Sequence, residues 1–208
     1  MSARGRFITL EGGEGVGKST QVQALAEALR SAGIDCLVTR EPGGSPGAEA
    51  IRALLLTGDE DRWSARSEAL LFAAARSDHV DKLIRPALDS GKWVLSDRFI
   101  DSSLAYQGGG RELGVDAVRA INAFGIADCL PDRTLVLALA DGGARARARD
   151  NEASDRIGGR SEGYHQVVDL AFRQIAAEEP GRVRIVDASG SADDVTGRLM
   201  DAIADLLP

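Results

Sequence analysis

The residue pattern predicts an α/β fold: a five-stranded parallel sheet with helices on both faces. Two observations carry that expectation. Short apolar stretches suited to buried strands alternate with longer segments of helical spacing, and the first strand passes through a glycine-rich turn straight into a helix. The turn comprises Gly12, Gly13, Glu14, Gly15, Val16, Gly17, Lys18 and Ser19, with Thr20 following. It fits the phosphate-binding pattern in which two glycines bracket four residues and Lys and Ser/Thr come next. Strand, glycine loop and helix in that order is the setting that separates a phosphate cradle from an ordinary turn. Small residues let backbone N–H groups converge on phosphate oxygens, and the helix N-terminus adds partial positive charge. Lys18 would reach the outer phosphates of the bound ligand, and the Ser19 hydroxyl would sit on Mg²⁺.

The other elements follow in order. Arg6 to Glu11 is the first strand, and Thr20 to Arg30 a helix with Val22, Leu25, Ala26 and Leu29 at helical spacing. Asp35 to Thr39 is the second strand. It ends in Arg40-Glu41-Pro42-Gly43-Gly44-Ser45-Pro46-Gly47, where two prolines and three glycines in eight residues dictate a loop. Such a position, at the carboxyl end of a strand, is where open α/β sheets bind ligands. Ala48 to Leu56 reads as a helix, Ser67 to Leu88 as a long helix and Lys92 to Ser96 as a third strand. Ser102 to Gln107 leads into Gly108-Gly109-Gly110-Arg111, read as a flexible break. Val115 to Phe124 is helical, Thr134 to Leu139 a fourth strand, and Tyr164 to Ala177 a helix. Val183 to Val186 is a fifth strand and Asp193 to Leu207 a closing helix.

At 208 residues the chain is a single domain with room for a sizeable core. A formal net charge of −7 argues against a general binder of nucleic-acid backbones, which needs a basic face. Cys36 and Cys129 have neither motif spacing nor the density of a disulfide scaffold, which points to a reducing, cytoplasmic setting. No apolar run approaches the ~18 residues of a membrane span, and the N-terminus lacks a signal-peptide core.

Three further groups invite a functional reading. Phe72 and Arg76, four apart on a helix, are neighbours on one face and suit a flat heterocycle, the ring by stacking and the guanidinium by hydrogen bonds. The alternative puts Phe72 in the core and Arg76 in solvent. Asp97 and Arg98 end the third strand, where a carboxylate suits Mg²⁺ and a guanidinium suits phosphate; a salt-bridged strand terminus is the other reading. Finally, Arg145, Arg147, Arg149, Arg156 and Arg160 put five guanidiniums in sixteen residues of an acidic chain. Either the segment 141–160 is a lid that closes on phosphates, or it is a solvated basic helix–loop.

Taken together these segments resemble bacterial thymidylate kinases, over nearly the whole chain. The match rests on Glu11 to Thr20, Thr39-Arg40-Glu41-Pro42-Gly43-Gly44, Phe72-Ala73-Ala74-Ala75-Arg76, Ser96-Asp97-Arg98-Phe99 and Ala105-Tyr106-Gln107-Gly108-Gly109-Gly110-Arg111. The resemblance implies a P-loop, three-layer sheet of strand order 2-3-1-4-5 with an arginine-rich lid, and transfer of the ATP γ-phosphoryl group to dTMP by a homodimeric enzyme. It implies that Phe72 and Arg76 hold the thymine, with Ser103 on the base and Gln107 among the substrate contacts. Tyr106 would pack under the deoxyribose, Glu14 would lie near the sugar 3′-hydroxyl, and Glu41 and Pro42 would wall the pocket. Arg98 would hold the acceptor phosphate, Asp97 would join Ser19 at Mg²⁺ through water, and Arg149 and Arg156 would be the transition-state cations. One branch of the family carries a basic residue where this chain has Gly15 and places the catalytic arginine in the loop. The lid arginines here agree with the other branch.

Overall fold

The computed structural model of the chain describes residues 4–139 and 156–208. Its sheet contains β1 (Phe7–Gly12), β2 (Cys36–Arg40), β3 (Trp93–Asp97), β4 (Arg133–Ala138) and β5 (Val183–Asp187). The order is β2-β3-β1-β4-β5 with every pairing parallel, as expected. Alternate residues face opposite layers. Phe7, Val94 and Val136 point into one core with Phe99, Leu104 and Phe172, while Ile8, Leu10, Leu95, Leu135 and Leu137 join Leu25, Leu29 and Leu199 in the other. Being covered on both faces is why β1 reads as a continuous buried run.

Register places the chemistry. Leu10 pairs with Asp97 and Gly12 with Leu137, so the glycine loop leaves β1 beside the carboxyl end of β3. The loop enters α1 (Lys18–Ser31) with Gly17 as its N-cap, two residues earlier than the spacing predicts. Ser45 caps α2 (Pro46–Leu56), accepting from Ala48 N–H, and Pro46 occupies the first turn. Ser64 caps α3 (Ala65–His79). The predicted long helix then continues through a π-helical turn, Val80–Ile84, into α4 (Arg85–Asp89). Beyond come α6 (Val115–Ile126), α7 (Glu162–Glu178, capped by Ser161) and α8 (Ala192–Ala202), which a Ser191/Asp194 capping box opens.

Between β3 and α6 the structure corrects the sequence reading. α5 (Ile100–Ser103) widens into a π-helical stretch, Leu104–Gly110, and the three glycines belong to it instead of forming a flexible break. A Cβ at Gly109 would lie 3.0 Å from the Ala171 Cβ, and one at Gly110 would lie 2.5 Å from the Tyr164 ring. Gly109 and Gly110 serve close packing against α7, and Gly108 packs against the backbone at Val115, tertiary demands invisible to local turn chemistry. Of the arginine segment predicted over 141–160, only 156–160 lies among the described residues; Arg145, Arg147 and Arg149 lie outside them. No helix among the described residues is long and apolar enough to cross a membrane.

Gly12 carries the tightest requirement of the loop. Its φ is 126°, and a Cβ there would lie 2.3 Å from the Leu137 carbonyl oxygen. Gly12→Ala should therefore cost about 2 kcal/mol or more, read as a lowered urea midpoint at unchanged slope. An unmoved midpoint would contradict the close approach of loop and β4.

Candidate active site

An open cavity of about 580 Å³ lies at the carboxyl ends of β1, β2 and β3. Glu14, Gly15, Gly17, Lys18, Ser19 and Thr20 line one end; Glu41, Pro42, Phe72, Arg76, Ser103, Tyr106 and Gln107 line the other, with Asp97 and Arg98 between them. Gly12 and Val16 face a small recess against β4 instead. Most of the residues singled out in the sequence thus line one cavity; Gly12, Gly13, Val16 and Arg156 do not, and Arg149 lies outside the described residues.

At the loop end, Lys18 is buried and donates to the Gly13 carbonyl at 2.5 Å. Burial, reinforced by repulsion from Arg98, pushes its ammonium down to about 8. The Ser19 hydroxyl donates to Asp97 Oδ2 at 2.7 Å. One hydroxyl and one carboxylate are a sparse donor set, and they fit Mg²⁺, which keeps several waters and shares its shell with phosphate. No cluster of three or more acidic, His or Cys ligands occurs among the described residues.

Arg98 sits at the centre with φ 72°, a left-handed conformation for a non-glycine residue. Its guanidinium donates to Glu14 Oε1 at 2.6 Å, to the Gly12 carbonyl at 3.1 Å and to Ser102 Oγ at 3.1 Å, and lies 5.1 Å over the Tyr106 ring. The Tyr106 hydroxyl donates to the same Glu14 oxygen at 3.1 Å. Burial alone would raise the Glu14 carboxyl, but the Arg98 and Lys18 charges outweigh it and hold it at about 2.

At the far end Arg76 is buried, not in solvent. It donates to Glu41 Oε2 at 2.8 Å, Asn122 Oδ1 at 2.5 Å and the Phe99 carbonyl at 3.0 Å. A guanidinium has five N–H groups, so two remain for a ligand in the cavity. His79 bridges Glu41 and Thr39 behind this pair. Phe72 is half-buried beside it, and Ser103 Oγ is buried with no hydrogen-bond partner among the described residues. Gln107 turns its amide towards Glu68, donating at 3.1 Å.

Arg156 requires a correction. Expected at the phosphates, it is instead buried against α2 and α3, donating to the Leu55 and Glu60 carbonyls and to Glu68 Oε2 at 2.7 Å. Arg160 donates to that oxygen too, at 2.8 Å. The pull of Glu68, 88 residues away in sequence, accounts for the placement. Burial would raise the Glu68 carboxyl, yet these arginines and Gln107 hold it below its ordinary value.

Several residues at the site escape a sequence reading. Arg40, Arg52 and Ser102 line the cavity, and Arg52 donates to the Pro42 carbonyl at 2.7 Å. Ser102 follows Arg98 at the i+4 position, a spacing that signals contact on a helix start. Glu11 and His79 are fully buried. A carboxylate inside an otherwise apolar strand was the available signal for the first.

Comparison with known proteins agrees with this geometry. The family model described as thymidylate kinase matches residues 10–198. A thymidylate kinase of Rhizorhabdus wittichii is 59% identical over 206 residues, spanning 98% of this chain and 99% of its own. One of Bradyrhizobium diazoefficiens is 49% identical, spanning 100% of this chain and 92% of its own. The crystal structure of thymidylate kinase from Ehrlichia chaffeensis superposes with a TM-score of 0.78 at 32% identity, covering 97% of this chain and 99% of that one. The chain belongs to the thymidylate kinase family.

Proposed function

We propose that the chain transfers the γ-phosphoryl group of ATP to dTMP, giving dTDP and ADP, a step in dTTP synthesis. The observation that carries the reading is the cavity with a phosphate cradle at one end, a stacking and hydrogen-bonding pair at the other, and Arg98 between them. Lys18 and the loop amides hold the donor phosphates, and Arg98 aims the acceptor phosphate for in-line attack. Ser19 and, through water, Asp97 hold Mg²⁺, which when bound neutralises charge on the donor oxygens. No general base is needed, because the second pKa of a phosphate monoester is about 6. The two free N–H groups of Arg76 and the partnerless Ser103 hydroxyl meet the base edge, and Phe72 stacks on its face. Tyr106 lies under the sugar, with Glu14 at its 3′-hydroxyl and Glu41, Pro42 and Gln107 completing the wall.

Arg149 supplies transition-state charge from the lid. Arg156, bonded to Glu68, would anchor the carboxyl end of the 141–160 segment. Association as a homodimer is favoured by Leu70 and Phe124, exposed at 57% and 96% on the packed pair α3 and α6. Cytoplasmic residence accords with two free, buried thiols, both pushed up by burial.

Coupled ADP formation with dTMP, dUMP, UMP, CMP, AMP, GMP and thymidine offered separately tests the assignment. dTMP should be the best acceptor; a purine nucleotide in first place would refute the base pocket. Arg98→Ala and Arg149→Ala should each lower kcat by about 10³ or more, Arg149→Ala without weakening dTMP binding. Titration of Glu14 supplies a separate check. Its carboxyl is depressed, so the pair with Arg98 stabilises the fold fully above the ordinary carboxylate value and is lost as pH falls through the lower one. The stability gap between the parent and Glu14→Gln should be constant around neutral pH and shrink from about 4.5 towards about 2. A gap insensitive to acid would mean that the pair is not formed.

A further inference from the structure

Holding Arg98 in place is costly. A left-handed backbone at a non-glycine residue is strained and persists only where its surroundings over-determine it. Part of that determination is backbone: Arg98 N–H donates to the Leu10 carbonyl at 2.9 Å, and Ser96 Oγ donates to the Arg98 carbonyl at 2.7 Å. A further part comes from the Glu11 side chain. Glu11 Oε1 accepts the Phe99 N–H at 2.7 Å, pinning the peptide just after the strained residue. Its other oxygen takes the Ser102 hydroxyl at 2.5 Å, and Ser102 Oγ in turn accepts from the Arg98 guanidinium.

We propose that Glu11 is a positioning residue for phosphoryl transfer: through Phe99 N–H and Ser102 it fixes both the backbone and the guanidinium of Arg98 relative to the phosphate loop. The inference rests on the reading of Arg98 as the acceptor-phosphate arginine. Glu11 is fully buried and does not line the cavity, so it touches neither nucleotide. It precedes Gly12, where the phosphate loop begins, so one residue ties the donor cradle to the acceptor cation. Burial, with Asp101 nearby, pushes its carboxyl up, and its hold on Arg98 runs through the two hydrogen bonds. In either protonation state one oxygen accepts Phe99 N–H and the other shares a proton with Ser102. An amide at this position can make the same two contacts.

The test is steady-state kinetics on the full chain with both substrates varied. Glu11→Ala should lower kcat/KM for dTMP by about 100-fold while leaving KM for ATP within about threefold, and Glu11→Gln should restore most of the loss. Ser102→Ala, which cuts only the guanidinium limb, should cost about tenfold on the dTMP side alone. In an Arg98→Ala background, Glu11→Ala should add little, because its target is gone. Equal losses for ATP and dTMP, additive costs in the double variant, or a Glu11→Gln no better than Glu11→Ala would overturn the proposal. If Glu11→Ala does not fold, parental dTMP kinetics in Ser102→Ala would overturn it as well. Arg98→Ala with normal dTMP kinetics would instead overturn the acceptor reading on which this one stands.

Discussion

Lys18 and Arg98 repel one another across the cavity they share, and neither has bulk water to screen it. Glu14 lies between them, close enough to Arg98 for a 2.6 Å hydrogen bond and near enough to both to be held ionised. The cavity as a whole is lined by Lys18, Arg40, Arg52, Arg76 and Arg98 against Glu14, Glu41 and Asp97, five cations to three carboxylates, and a net positive site is what two facing sets of phosphate oxygens require. Burial first, and repulsion from Arg98 second, depress the Lys18 ammonium, and anionic ligands would favour its charged form. Much of the architecture can be seen as what holds Lys18, Glu14 and Arg98 in register: parallel pairing of β1 with β3 and β4, the tight turn at Gly12, and the left-handed turn at residue 98.

A second layer of buried polarity stabilises the base end. Arg76, Glu41, His79, Asn122 and Thr39 are joined by short hydrogen bonds, with Arg76 and Glu41 only 2% and 4% exposed. Such a network is not a strong source of stability, because desolvating a guanidinium and a carboxylate offsets most of their attraction. Its value lies in geometry. A long, flexible arginine is fixed through Nε, Nη1 and Nη2, so its guanidinium is held in place before a ligand arrives and loses little further entropy on binding. Lys would lack the fork for this arrangement.

Much of this was legible in the sequence. Strand, glycine loop and helix announced the phosphate cradle because the pattern is local and its glycines are demanded by backbone geometry. Phe72 with Arg76, and Asp97 with Arg98, were visible as pairs, although only the fold shows that they face one cavity. What escaped depended on distant partners. The triple glycine reads as a flexible break until α7 is seen packed on Gly109 and Gly110. Arg156 reads as a cation awaiting phosphate until Glu68 is found beside it. Glu11 looked like the last residue of a strand, and its two hydrogen bonds reach residues 88 and 91 positions away.

Glu68 answers to several partners at once, with Arg156 and Arg160 on one oxygen and Gln107 on the other. Such sharing shapes how the chain can drift over generations. An apolar residue at 68 would strand two buried guanidiniums, and a neutral residue at 156 or 160 would shift the carboxylate's balance for the others. Changes acceptable together are harmful singly, so these positions should move through sequence space as a block. Grafting the 156–160 segment from a relative would then succeed only when the matching side chains on α3 and in the π-helical stretch travel with it.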